Sequence, residues 1–180
     1  REDLNADFIG LNPLHALFNK RPFNSSPYLP SSRLYLNFIY LDVPRLVDLE
    51  GSEPARALLA LPDIRQSIER LRSEEHVNYE EITELKLRVL RAVFATFMEN
   101  HGKTGRSTGR GKHFYAYCEA EGVYLERYAS FCALQEHFKS VLPEAVTWRE
   151  WPEAFRNANS PEVQQFRREH EQDLLFWMYL

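Results

Sequence analysis

In 180 residues, 26 acidic and 22 basic side chains leave a net charge of −4, which gives no general pull toward nucleic acid or an anionic membrane. Hydrophobic residues at 44% and charged residues at 27% are ordinary for a globular chain with a sizeable core, and the longest apolar runs are far too short to span a bilayer. The two cysteines, Cys118 and Cys132, sit inside apolar helical patterns, which argues against a disulfide scaffold and for a reducing cytoplasmic setting.

The first predicted element is Phe8-Ile9-Gly10-Leu11, an apolar run of strand length bounded by Asn12-Pro13. About twenty residues of turn chemistry follow it. Pro22, Pro27 and Pro30 stiffen this stretch, and Asn24, Ser25, Ser26, Ser31 and Ser32 can bond their own backbone. Tyr28 lies between two of those prolines. A second apolar run, Leu34 to Val43, closes the loop. A loop of this composition is ordered without being regular, and such loops carry function on a rigid scaffold.

From Pro44 to Gly51 the chain reads as a connector, and Glu53–Ala60 and Pro62–Arg72 as two short helices. Pro62 suits a first helical turn, where its missing N–H costs nothing. Tyr79–Asn100 is the strongest predicted helix: Asn78 and Glu81 stand at capping-box spacing, and Ile82, Leu85, Val89, Val93 and Phe97 make one apolar face. The glycine-rich basic stretch His101–Lys112 reads as a mobile linker. It is not a phosphate loop, because five residues rather than four separate Gly105 from Gly111, and His113 follows Lys112 where Ser or Thr is required. A short aromatic helix, His113–Ala120, is expected to break at Gly122, with a second helix over Tyr124–Ser140. Trp148 and Trp151 flank a turn, where they either form a sugar platform or close a core, and the core is the favoured reading. One last helix starts at Ser160-Pro161, with Val163, Phe166, His170 and Leu174 on one side. The predicted class is mainly α with a short β element. Domain organisation reads as 1–44, a strand and its loop, then 45–180, a helical segment.

Several blocks carry a resemblance: GLNPLHALF, SSPYLPSSRLYLN, IYLDV, VNYEEITELK, YLERYASFCALQEHF, WREWPE and the terminal FWMYL. Together, in this order, they resemble the amylomaltases, the 4-alpha-glucanotransferases of glycoside hydrolase family 77. The resemblance implies a (β/α)8 TIM barrel with a helical insertion, of which this chain would be an internal fragment. It implies transfer of α-1,4-glucan segments between malto-oligosaccharides or glucose by a retaining double displacement, with no cofactor. It also implies that the catalytic carboxylates lie on later strands, beyond Leu180. The apolar helix that stops at Leu180 without a capping glycine agrees with a cut chain. The expected partners are sugars, not nucleic acid or membrane. A piece of a barrel could also dimerise through bare apolar surface.

By the same resemblance, Tyr28 is the aromatic that stacks on sugar and Ser26 a neighbouring hydroxyl in the substrate loop. A phenol ring covers the apolar C–H face of a pyranose while its hydroxyl stays wet. The other reading of Tyr28 is that it only packs its loop. His15, just past the predicted strand, either binds sugar or is a satisfied loop histidine. Asn12 and Asn37 either bind sugar or hold turns, and turns are the favoured reading. Retaining transfer needs two carboxyl groups about 5 Å apart. Asp42, Asp48, Glu80, Glu81 and Asp173 read as capping or solvated carboxylates instead. The six histidines show no metal spacing. The rival reading is a non-enzymatic helical interaction module.

Overall fold

The computed structural model describes residues 7–19, 26–102 and 108–180. The predicted positions Pro22, Asn24, Ser25 and Gly105 lie outside them. The described residues are mainly helical, with one small antiparallel sheet, and they form two compact units, 1–93 and 94–180.

In the first unit, β1 (His15–Ala16) pairs with β2 (Ser32–Leu36), His15 opposite Leu36 and Ala16 opposite Ser32, with an irregularity between the two β1 residues. Backbone bonds extend the ladder at both ends, Asn37 N–H to Leu14 at 2.9 Å and Ser31 N–H to Ala16 at 2.8 Å. The predicted strand at Phe8–Leu11 is not formed; Phe8 and Leu11 are 83% and 81% exposed. Strand pairing satisfies backbone groups through a neighbour, and among the described residues none runs beside this segment. The second apolar run is a strand only to Leu36. Asn37 then caps a 3-10 turn over Phe38–Tyr40, accepting from Ile39 N–H at 3.0 Å. Pro44 sits in a second such turn, Val43–Arg45, so the expected connector is in fact structured.

Three helices follow: α1 (Val47–Glu50), α2 (Glu53–Ala60) and α3 (Pro62–Ser73). The boundaries predicted for α2 and α3 hold within a residue, because Ser52 caps one and Pro62 opens the other. The fully buried Ser52 hydroxyl also donates to the Ala92 carbonyl at 3.2 Å. α4 (Tyr79–His101) begins at the predicted Asn78 cap: Glu81 N–H donates to Asn78 Oδ1, and the Asn78 side-chain amide, rather than its backbone N–H, donates to the Glu81 carboxylate, both at 3.2 Å. Phe38, Ile39, Val43, Leu49, Ile64, Val89, Leu90 and Val93 form the buried centre of this unit.

The second unit holds the last turns of α4, then α5 (Gly109–Val141), α6 (Pro161–Glu169) and α7 (Glu171–Tyr179). The predicted linker is shorter than expected. Thr108 caps α5, accepting from Gly111 N–H at 3.1 Å, and the glycines 109 and 111 lie in its first turn. Gly122 does interrupt the helix, with φ 54° and ψ −132°, and α5 resumes directly after it. The single C-terminal helix is two, divided at His170 (φ −115°, ψ 32°). Two aromatic clusters make the core. Phe94, Phe97, Phe114, Phe176 and Tyr179 meet with centroids 4.9–6.4 Å apart. Trp151 packs between Phe131 and Phe138 at 5.6 and 5.1 Å. Trp151 is buried as expected, but Trp148 is 39% exposed, with Arg149 over its ring. Arg167 ties α6 to α5, bonding Glu126 at 2.7 Å and Ser130 Oγ at 2.8 Å.

Candidate functional site

Of the site residues that the sequence singles out, Ser26 and Tyr28 lie between β1 and β2, and His15 lies on β1. Ser26 to Leu29 form a turn, closed by Leu29 N–H donating to the Ser26 carbonyl at 3.2 Å. Pro27 occupies the second position, where its fixed φ suits a type I or II turn. Tyr28 therefore stands at the turn's tip and is 65% exposed. Its hydroxyl donates to Asn12 Oδ1 at 2.8 Å. An exposed phenol held at its far end leaves its apolar face open to a ligand.

Ser26 is half-buried beside Tyr28 in the same turn. His15 is half-buried on β1, opposite Leu36. Among the described residues no hydrogen bond joins His15 to Ser26 or Tyr28. The structure thus brings Ser26 and Tyr28 into one turn and places His15 on the adjoining strand. Asn12, favoured from the sequence as a turn holder, instead bonds the Tyr28 hydroxyl. It lies sixteen positions from Tyr28, and no local spacing connects the two.

Buried polar groups support this hairpin. Asn37 Nδ2 donates to Asn19 Oδ1 at 2.9 Å, and each asparagine is only 3% exposed. Asn37 thus holds a turn, as its sequence position implies. From α4, the Lys86 ammonium donates to the Ile39 carbonyl and, at 2.7 Å, to the Leu41 carbonyl. Burial lowers the Lys86 pKa from its ordinary value, and the nearby Asp42 charge works against that. An apolar pocket of about 360 Å³ lies beside Lys86, lined mainly by Leu41, Val43, Leu59, Ile68, Ile82 and Leu85. Ser26, Tyr28 and His15 take no part in it.

Three of the carboxylates weighed from the sequence, Asp42, Glu81 and Asp173, have local partners. Asp42 faces Arg45 at 3.4 Å with its side chain 58% exposed. Glu81 closes the α4 cap and also pairs with Arg70, and Asp173 bonds His170 Nδ1 at 3.2 Å. Among the described residues no His, Cys, Asp or Glu cluster could hold a metal. No described helix is long and apolar enough to cross a membrane.

Known proteins resemble this chain over nearly its whole length. Residues 2–180 match the profile of glycoside hydrolase family 77, described as 4-alpha-glucanotransferase. A protein of that name from Haemophilus influenzae is 29% identical over 178 residues, covering 97% of this chain and 25% of the relative. The Mycobacterium tuberculosis protein so named is 28% identical over 184 residues, again covering 97% of this chain and 23% of the relative. One from Chlamydia muridarum is 27% identical over 158 residues. The chain therefore spans about a quarter of the length of the curated relatives it matches.

Proposed function

The chain belongs to the 4-alpha-glucanotransferases of glycoside hydrolase family 77, and from that premise we propose that it serves glucan transfer as a wall of the sugar-binding cleft. The whole protein would move α-1,4-glucan segments between malto-oligosaccharides, or onto glucose, through a covalent glycosyl-enzyme on a (β/α)8 barrel. The two carboxyl groups of that double displacement would be supplied from outside this chain. Residues 1–44 would be the barrel strand and substrate loop, and 45–180 the helical insertion. A cytoplasmic setting goes with this reading, since Cys118 and Cys132 are both free thiols.

The observation that carries the proposal is the Tyr28 ring, exposed at the tip of a proline-fixed turn. A pyranose offers an apolar C–H face that such a ring can cover, and the Ser26 hydroxyl beside it can donate to or accept from sugar hydroxyls. Pro27 limits the freedom that binding would otherwise have to remove. His15 would line the same wall from β1. Transfer outruns hydrolysis when a bound acceptor displaces water, and an aromatic platform favours that.

The test is kinetic. In the full-length protein, Tyr28→Ala should lower kcat/KM for maltotriose disproportionation by about tenfold or more, the loss expected when a stacked aromatic contact is removed. Wild-type kinetics would take Tyr28 out of the site. The isolated chain should be inactive. It exposes Phe8, Leu11, Leu34 and Leu36, so light scattering should detect self-association.

A further inference from the structure

Asn12 and Tyr28 reach each other from opposite flanks of the hairpin. Asn12 lies three residues before β1, on the side where Leu14 pairs with Asn37. Tyr28 lies four residues before β2, on the side where Ser31 pairs with Ala16. The 2.8 Å bond between their side chains therefore requires the turn to fold back along β1. Each side chain projects from a proline-restricted backbone. Pro13 follows Asn12 and disfavours the helical region for it. Pro27 precedes Tyr28 and presets the turn. The bond thus joins two exposed side chains whose backbones are each restricted by a neighbouring proline.

We infer that Asn12 is the positioning residue for Tyr28: its amide oxygen holds the phenol hydroxyl and so sets the angle at which the ring meets a pyranose. This rests on the reading of Tyr28 as a sugar platform. The bond has two consequences. The phenol proton is committed to Asn12, so the lone pairs of the phenol oxygen face outward as acceptors for a sugar hydroxyl. The ring also stays in one orientation when the site is empty, so less freedom is lost when sugar binds. Stacking depends on the angle between ring and sugar faces, and a ring free to swing would meet fewer substrates productively.

Steady-state kinetics of maltotriose disproportionation by the full-length protein test this. Asn12→Ala should cost about three- to tenfold in kcat/KM, the worth of one hydrogen bond. Tyr28→Phe, which keeps the ring and loses the hydroxyl, should cost as much, and the double variant no more than the worse single one. Asn12→Asp should restore activity toward wild type, because a carboxylate accepts the same hydrogen. A merely structural role for Asn12 would give none of this coupling. Additive losses, wild-type kinetics for Asn12→Ala, or an Asn12→Asp no better than Asn12→Ala would each overturn the inference. If Asn12→Ala fails to fold, Tyr28→Phe decides alone, since wild-type kinetics there leave the bond without a role. Tyr28→Ala separates the two readings. Wild-type rates in that variant remove the sugar platform itself, whereas a loss there with none in Asn12→Ala removes only the positioning role.

Discussion

The described flanks of the hairpin, 12–19 and 26–40, and the helices of the second unit hold their shapes by different means. On β2, Leu34 and Leu36 are 69% and 71% exposed, and the hairpin is fastened by directional bonds such as Asn37 to Asn19 and Tyr28 to Asn12. In the second unit, Phe97 and Phe176 are 2% and 0% exposed, within a continuous aromatic cluster. A hydrogen-bonded loop can leave an aromatic ring in solvent and still fix its position. An aromatic core holds its members by removing them from solvent. A residue meant to meet a ligand belongs in the first kind of structure.

The contrast can be broken from either side, and the largest effect is expected in the core. Phe97→Ala removes a ring packed on Phe94, Phe114 and Tyr179 and should cost about 3–5 kcal/mol. Thermal unfolding would read it as a lower Tm, and an unchanged Tm would mean that the cluster is not the unit's main support. On the hairpin side, Asn37→Ala leaves the buried Asn19 amide oxygen without its 2.9 Å donor and should cost about 2 kcal/mol. Hydrogen exchange should then rise at Ile39, whose N–H the Asn37 side chain accepts, while the aromatic unit stays protected. Protection lost equally in both would contradict the division drawn here.

Gly122→Ala probes backbone alone. An added Cβ meets nothing within 4 Å, so the cost should be that of an L-residue at φ 54° and ψ −132°, outside the left-handed helical well, about 1–3 kcal/mol. A stabilised variant would show that α5 can straighten there.

The smallest effect is a slope with pH. Burial, followed by the neighbouring His170, lowers the His137 pKa, while Asp173 opposes both. With the folded value below the unfolded 6.5, the unfolded chain binds more protons in between, so stability should fall as pH drops below about 6.5. His137→Gln should flatten that part of the curve, as followed by urea unfolding at stepped pH. An unchanged slope would assign the acid sensitivity to other groups.

Much of the helical layer was legible in the sequence because its signals are local. Asn78 and Ser160 each cap the helix that their spacing announces, and Gly122 takes the backbone that only glycine adopts easily. Where the reading failed, a distant partner decided. Phe8–Leu11 has strand composition but no neighbour among the described residues, so composition alone could not make it a strand. His170 lies on the apolar stripe that joins α6 and α7, yet its backbone leaves the helical region between them. The glycine-rich stretch looked like linker to its end, whereas the Thr108 cap draws Gly109 and Gly111 into α5.

The sequence by itself determined family membership, the helix caps, and the proline-braced turn that displays Tyr28, since each depends on residues close together in the chain or on their linear order. Only the tertiary structure decided that Asn12 meets Tyr28, that Lys86 closes on the carbonyls of Ile39 and Leu41, and that Asn19 and Asn37 pair in the interior. Those contacts span 16 to 47 positions, and a hydrogen bond over such a separation carries no periodicity. It exists because folding brings a donor and an acceptor together where water has been excluded or the backbone allows no other arrangement.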